Sequence, residues 1–418
     1  MKKRFKHLLS GIAIVSLGTS VAISISSCSL NNSWTILCYL TGSDFENDEG
    51  NRSMSLAINS MLKAKASDNV KIIAVTGGSK SWGNEWIDNS ANNNIQYWQF
   101  VGSEHKELEH YTEQNMGKAA CLEEFLKYGI SNFESKHYGL CFFDHGAAYR
   151  GLNYDNTYGN DRLELEELSE ALAGSNQKFD FTYMNNCLMA NLDVANVMAP
   201  HTQYLVASEE PITYRRNASM DPDNGYPGVI HWNKLYDYII DNPSASGLQI
   251  GKAICSDYFD IQKEYRVPAA MSIIDESKIA KVMQSFNEWI DWIGDKEDNP
   301  NFDQFRANIQ RPQIYGSMPL VDIWYLSSFF DKTSEITTLQ NSVDSAVLYN
   351  DYFLPSGYVD SSYNQAHGLS TFVPLWVANQ ETAIKQYWQD YYDSTTILHN
   401  KYQNWIQSNF IDQPYPSN

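Results

Sequence analysis

Basic residues are scarce. Lys and Arg number 30 against 50 Asp and Glu, a formal net charge of −20 over 418 residues. A nucleic-acid binder needs a basic face to displace counterions from phosphate, so that class is excluded. Cysteines are few and scattered, six in all, with no C-x-x-C and no Cys/His cluster. That spacing offers no structural zinc pattern and a poor disulfide framework. Gly (23) and Pro (13) show no excess, which excludes collagen-like and low-complexity chains. There is no internal repeat, and beyond the first thirty residues no apolar run is long enough to span a bilayer. Hydrophobic residues make up 43% of the chain. That is too many for disorder and enough for one large core or two ordinary ones.

The amino terminus is a different material. Lys2, Lys3, Arg4 and Lys6 precede an uncharged apolar run from Leu8 to Ile25. A basic stretch, an apolar stretch and small residues before a cleavage point describe an export signal. The small residues are Ser26 and Ser27, directly before Cys28, and Ile25-Ser26-Ser27-Cys28 resembles the lipobox of bacterial lipoproteins. The resemblance implies a signal peptide over 1–27, lipidation of Cys28 and a short tether over 28–32. The protein would then be exported and held on the outer face of the bacterial membrane. A retained N-terminal membrane helix is the competing reading, weakened by the serines and glycines in the run.

Apolar strands alternate with amphipathic helices after that. Strand-like runs stand at 34–40, 70–75, 138–143, 179–184 and 204–207, and helical stripes at 54–62, 122–130, 163–172 and 188–198. Aromatic, alternating stretches between Trp82 and Phe100 read as a hairpin. Continuous apolar strands separated by crossover helices are what a buried parallel sheet requires. Residues 33–210 therefore read as a doubly wound, mostly parallel α/β unit. Residues 211–418 read as a smaller, mainly helical lobe packed on the sheet. Cys38 and Cys141 fall inside strands and Cys121 on a helical stripe, the places of small core residues.

In an open parallel sheet, ligands bind beyond the carboxyl ends of the strands. The third strand runs into Asp144-His145-Gly146, the fourth into Asn185-Asn186-Cys187, and the fifth into Ser208-Glu209-Glu210. One crossover separates His145 from Cys187, so neighbouring strands can deliver both to one crevice. Cys187 is read at the first turn of a helix beginning at Leu188, where the dipole would favour a thiolate and free N–H groups could hold an oxyanion. Gly146 lets backbone approach a substrate carbonyl without a Cβ. Each feature has a plainer explanation. A cysteine after a strand is more often core, His-Gly recurs at His367-Gly368, and Glu209 and Glu210 read by default as a solvated loop edge.

Ordered segments along the chain resemble the clostripain family of clan CD cysteine peptidases, relatives of gingipain, legumain and caspases. They are Trp34–Leu40, Thr76-Gly77-Gly78 with Trp82, Lys136–Gly146, Leu163–Leu168, Cys187–Ala190, Leu205–Glu210 and Gly368–Pro374. The resemblance implies a caspase-like α/β/α sandwich and hydrolysis of peptide bonds by a His145/Cys187 dyad. The N–H groups of Gly146 and Cys187 would stabilise the oxyanion, and Asn185, Ser208, Glu209 and Glu210 would border the substrate. It further implies peptide or protein substrates, cleavage after Arg or Lys, no cofactor for the chemistry itself, and calcium as a possible requirement. The family's usual Asp two residues before the nucleophile is Asn185 here, which weakens the case for a basic P1 residue. Arg150 and Arg162 flank a loop suited to self-cleavage, or simply lie on an exposed loop. A catalytically weak peptidase-fold lipoprotein acting in adhesion or ligand binding is the alternative, and a thiol acyltransferase a third.

Overall fold

The computed structural model describes residues 32–46, 52–88, 93–212, 230–295, 300–315, 318–358, 362–375, 381–393 and 401–412. Residues 1–27, Cys28 and the polar stretch Arg215–Asn224 lie outside the described residues. Among the described residues no helix is long and apolar enough to cross a membrane.

The strands are β1 (Trp34–Thr41), β2 (Val70–Gly77), β3 (Ile95–Val101), β4 (Glu104–Tyr111), β5 (His137–Phe143), β6 (Leu152–Asp155), β7 (Asp161–Leu163), β8 (Phe181–Asn185) and β9 (Tyr204–Ala207). They continue with β10 (Ala269–Asp275), β11 (Leu320–Asp322), β12 (Val347–Phe353) and β13 (Ser370–Phe372). Nine of them form one sheet in the order β12-β10-β9-β8-β5-β1-β2-β3-β4. The five central strands run parallel to one another, and each flanking strand pairs antiparallel with its inner neighbour. This is the mostly parallel, doubly wound α/β architecture that the alternation predicts.

Period-2 alternation along each central strand feeds two cores. Leu37, Tyr39, Leu140, Phe142 and Met184 face one side with the helices Ala119–Asn132, Leu165–Ser175 and Ile279–Ile293. Ile36, Cys38, Leu40, Cys141 and Tyr183 face the other, with Ser53–Met61, Trp232–Asp241 and Gly247–Tyr265. Such strands read as unbroken apolar runs because both of their faces are covered. Cys38, Cys121 and Cys141 are buried as expected.

Three elements depart from the sequence expectation. The hairpin is Ile95–Tyr111, not Trp82–Phe100, because its outer strand β4 (EHKELEHY) carries no apolar alternation. It is a free edge, and charged residues blunt it against further pairing. Second, the stretch read as a helical lobe contributes two strands to the main sheet, β10 beside β9 and β12 at the margin. Third, the helix read from Leu188 begins at Leu192, so Cys187 lies five residues before it.

Candidate active site

β1, β5 and β8 lie side by side, and Phe143 is in register with both Leu40 and Asn185. The chain segments leaving these strands therefore emerge together. They carry Asp44, Asp144-His145-Gly146 and Asn186-Cys187. Asn186 joins the second and third: its Nδ2 donates to the carbonyls of Asp144 and His145, each at 3.0 Å, and to Asn153 Oδ1 at 3.1 Å. Asn153 in turn donates its N–H to the His145 carbonyl at 3.0 Å and its Nδ2 to Thr41 Oγ1 at 2.9 Å. Most of this network is buried, where hydrogen-bonded polar groups rigidify the structure.

Gly146 closes the contact between the two loops. A Cβ placed there would lie 2.4 Å from the Cys187 carbonyl oxygen, 2.8 Å from Asn186 Cβ and 3.0 Å from the Cys187 nitrogen. Glycine is thus required by the approach of the Asn186-Cys187 loop itself, not only by space for a substrate.

His145 stands on the ring of Phe45, centroids 4.3 Å apart, with Tyr154 edge-on at 6.0 Å. Its Nε2 lies 2.7 Å from Asp44 Oδ1. Burial pulls the imidazole's pKa down, but the Asp44 hydrogen bond and the charges of Asp144 and Asp44 outweigh it and leave it raised. Asp44 is held ionised chiefly by that same bond. Asp144 is buried, accepts from Ser43 Oγ and from the Tyr154 N–H at 2.5 Å each, and is pushed up to about 7 by burial. Asp44 was not among the residues singled out from sequence. Applying the strand-end rule to β1, as it was applied to β5, β8 and β9, finds it.

Cys187 does not sit at a helix N-terminus. Leu188 turns into the left-handed region at φ +66°, at a cost of about 1–2 kcal/mol for a residue with a side chain. The turn is held by the Leu188 and Ala190 N–H groups, which donate to the carbonyls of Glu210 (3.3 Å) and Ser208 (2.9 Å). The dipole argument for a thiolate therefore falls. Burial instead pushes the thiol up to about 11, despite the Ile212 N–H that donates to Sγ at 3.3 Å. Among the described contacts no hydrogen bond joins His145 to Cys187; Nε2 of the ring is engaged by Asp44 and the sulfur by the Ile212 main chain.

Asn185 is buried and accepts from the Tyr183 hydroxyl at 3.1 Å. Glu209 and Glu210, read as a solvated edge, are each 1% exposed, and Ser208 beside them is fully buried. The reason is long-range: β13 and the turn before it lie over them, with the Gly368 N–H donating to Glu209 Oε1 at 2.7 Å. His367 has its own buried partner in Asp322. Arg150 and Arg162 are committed as well. Arg150 pairs with Asp390 and stacks over Tyr387, and Arg162 donates to the Arg150 carbonyl. Among the described residues no three His, Cys, Asp or Glu side chains come together as metal ligands.

Residues 44–413 match the model of the clostripain family, peptidase family C11. The chain belongs to the clostripain family. Solved structures agree in fold. A secreted C11 cysteine protease from Bacteroides thetaiotaomicron, bound to an irreversible peptide inhibitor, is 15% identical with a TM-score of 0.58, covering 87% of this chain and 99% of its own. An inactive zymogen C11 protease from Parabacteroides distasonis is 14% identical at TM-score 0.59, over 87% and 98%. The secreted B. thetaiotaomicron C11 protease iotapain is 13% identical at TM-score 0.62, over 81% and 93%. No curated protein is a significant match. The fold and family of this clostripain-family chain are those of cysteine peptidases.

Proposed function

We propose that this protein is a surface-anchored cysteine endopeptidase in which Cys187 is the nucleophile and His145 the acid/base. The supporting observation is the seam at Gly146. Two loops from adjacent parallel strand ends, one bearing an imidazole and one a thiol, pack backbone against backbone where the fold presents ligands. Sγ attacks the scissile carbonyl as its proton passes to His145. The imidazolium gives that proton to the leaving amine as the C–N bond breaks. Water then releases the acyl group from sulfur by the same two transfers in reverse. The Gly146 and Cys187 N–H groups are the oxyanion donors in this reading. Asp44 orients the ring and stabilises the imidazolium formed in between. Lipidation of Cys28 supplies the anchor, and calcium, if bound, acts outside these steps.

Asp44→Asn tests the imidazole's role. It removes the charge that raises His145, so the alkaline limb of the kcat pH profile, where the acid form is lost, should move to lower pH. A fall in kcat of about 10–100-fold is expected. An unmoved limb would remove Asp44 from the mechanism.

Specificity for Arg or Lys at P1 is the family expectation, and Asn185 leaves it without its usual carboxylate. Asn185→Asp should raise the preference for P1 Lys over an uncharged residue by about 10–100-fold, the worth of a charge-assisted bond of about 1.5–3 kcal/mol. Cleavage profiles over a mixed peptide library measure it, and equal preference in both proteins would place the P1 pocket elsewhere. The raised, capped thiol favours the alternative of a catalytically weak lipoprotein that binds ligands. Labelling by an electrophilic peptide separates the two: a competent Cys187 reacts, and loses that reactivity in His145→Ala.

A further inference from the structure

Three side chains frame the imidazole of His145: Phe45 against its face, Asp44 on Nε2 and Tyr154 at its edge. Asp44 and Phe45 both sit on the single helical turn Ser43–Phe45 that follows β1, and Tyr154 sits on β6. One buried carboxylate joins that turn to that strand. Asp144 accepts from Ser43 Oγ through Oδ1 and from the Tyr154 N–H through Oδ2, each at 2.5 Å. Both partners donate, so the ionised carboxylate is the form that fits them. One oxygen holds the turn that bears Phe45 and Asp44. The other holds the strand that bears Tyr154.

Ser43 is buried, and its φ of +43° lies in the left-handed region, which a residue with a side chain enters only at a cost. Its carbonyl accepts from Ser79 Oγ at 2.8 Å. Its hydroxyl oxygen lies 3.3 Å from Asp44 Oδ1, the oxygen that meets His145 Nε2. The one hydroxyl proton serves the shorter contact, with Asp144. Ala148 (φ +49°), Asn153 (φ +55°) and Leu188 (φ +66°) share that backbone region, and all three lie on the segments that follow or hold His145 and Cys187. Strained residues persist where the surrounding contacts over-determine them, and they gather where geometry serves function. We propose that Ser43 and Asp144 are positioning residues for the imidazole: their bond fixes the turn that sets Phe45 on the ring and Asp44 on Nε2, while the Asp144–Tyr154 bond fixes the wall at the ring's edge. This rests on His145 as the acid/base and extends its support from Asp44 to the pair behind it.

Ser43→Gly in the full chain tests the pair. It deletes the hydroxyl, keeps both carboxylates and suits a left-handed turn better than serine does. Its kcat for peptide hydrolysis should fall about 10–100-fold with KM little changed, the loss that follows a displacement of about 1 Å. The NMR titration of the His145 ring should move to lower pH, because Asp44 then holds Nε2 less closely. The other titratable or charged groups about the ring are Asp144 on its own loop, Tyr154 of β6 with Arg162 over it, and Cys187 across the Gly146 seam. An unmoved titration, or a kcat equal to that of wild type, overturns the proposal whatever the melting temperature. Asp144→Ala should lose at least as much as Ser43→Gly. Asp144→Asn should recover most of that loss, since the amide oxygen accepts from Tyr154 and the amide N–H donates to Ser43 Oγ. Asparagine no better than alanine would show that charge matters and the bonds do not, and would also sink the idea. Should Ser43→Gly not fold, Ser43→Ala takes its place under the same expectations. If wild type hydrolyses no peptide, the acid/base reading fails by itself, and the ring titration still decides whether Ser43 and Asp144 position the imidazole.

Discussion

Cys187→Ala is expected to lower kcat/KM for peptide hydrolysis by about 10⁴-fold or more, with folding intact. Catalysis by an acyl-enzyme has no partial form: without sulfur there is no covalent intermediate, and what remains is the binding and oxyanion contribution. Alanine adds no atom, and the half-buried Sγ gives up one weak main-chain contact with Ile212 and a small packing area against the two cores, so the melting temperature should change little. Peptide turnover under reducing conditions and a thermal melt measure the two effects. A variant that hydrolyses as well as its parent would end the peptidase reading, whatever the family. His145→Ala should follow it downward by about 10²–10⁴-fold, the usual worth of a positioned acid/base.

Gly146→Ala is expected to be nearly as damaging for a different reason. The added methyl meets the Cys187 carbonyl at 2.4 Å and its nitrogen at 3.0 Å, and both are backbone atoms that cannot swing aside. Relief requires the two loops to part, against the bonds of Asn186 to the Asp144 and His145 carbonyls. Overpacking of this kind costs about 1–3 kcal/mol. A displacement of about 1 Å between reacting groups costs about 10²-fold in rate. Both should appear together, as a lowered melt and a kcat loss with little change in KM. A variant of full stability and full activity would show that Gly146 does not seat the nucleophile.

The family placement bears most on the chemistry that the two loops share. The particular state of this thiol, raised and capped by Ile212, is a property of this chain's packing.

Local pattern made much of this legible. Apolar continuity through β1, β5 and β8 implied a sheet covered on both faces, and the strand-end rule pointed to His145 and Cys187 before any coordinates. The same reasoning failed at Leu188. Leu188, Met189 and Ala190 continue a helical apolar stripe, yet the helix waits until Leu192, where Asn191 caps it. The turn between is held by carbonyls twenty residues further on, which no local propensity encodes. Asp44 escaped because an acidic residue after a strand looks like an ordinary turn until a histidine from another strand is set against it. Glu209 and Glu210 were misjudged for the converse reason: charge predicts exposure only until a distant segment buries it.

What the residues determined unaided was which elements form and which of their ends carry reactive groups, since side-chain periodicity and strand termini are short-range properties. What needed the folded chain was the state of those groups. Burial, the partners of the titratable atoms and the turn beside the sulfur arise from contacts between residues apart along the chain, from Leu188 with Glu210 to Asp44 with His145 and Glu209 with Gly368. A proton's position is set by the charges and donors around it in space, and these have no signature along the chain.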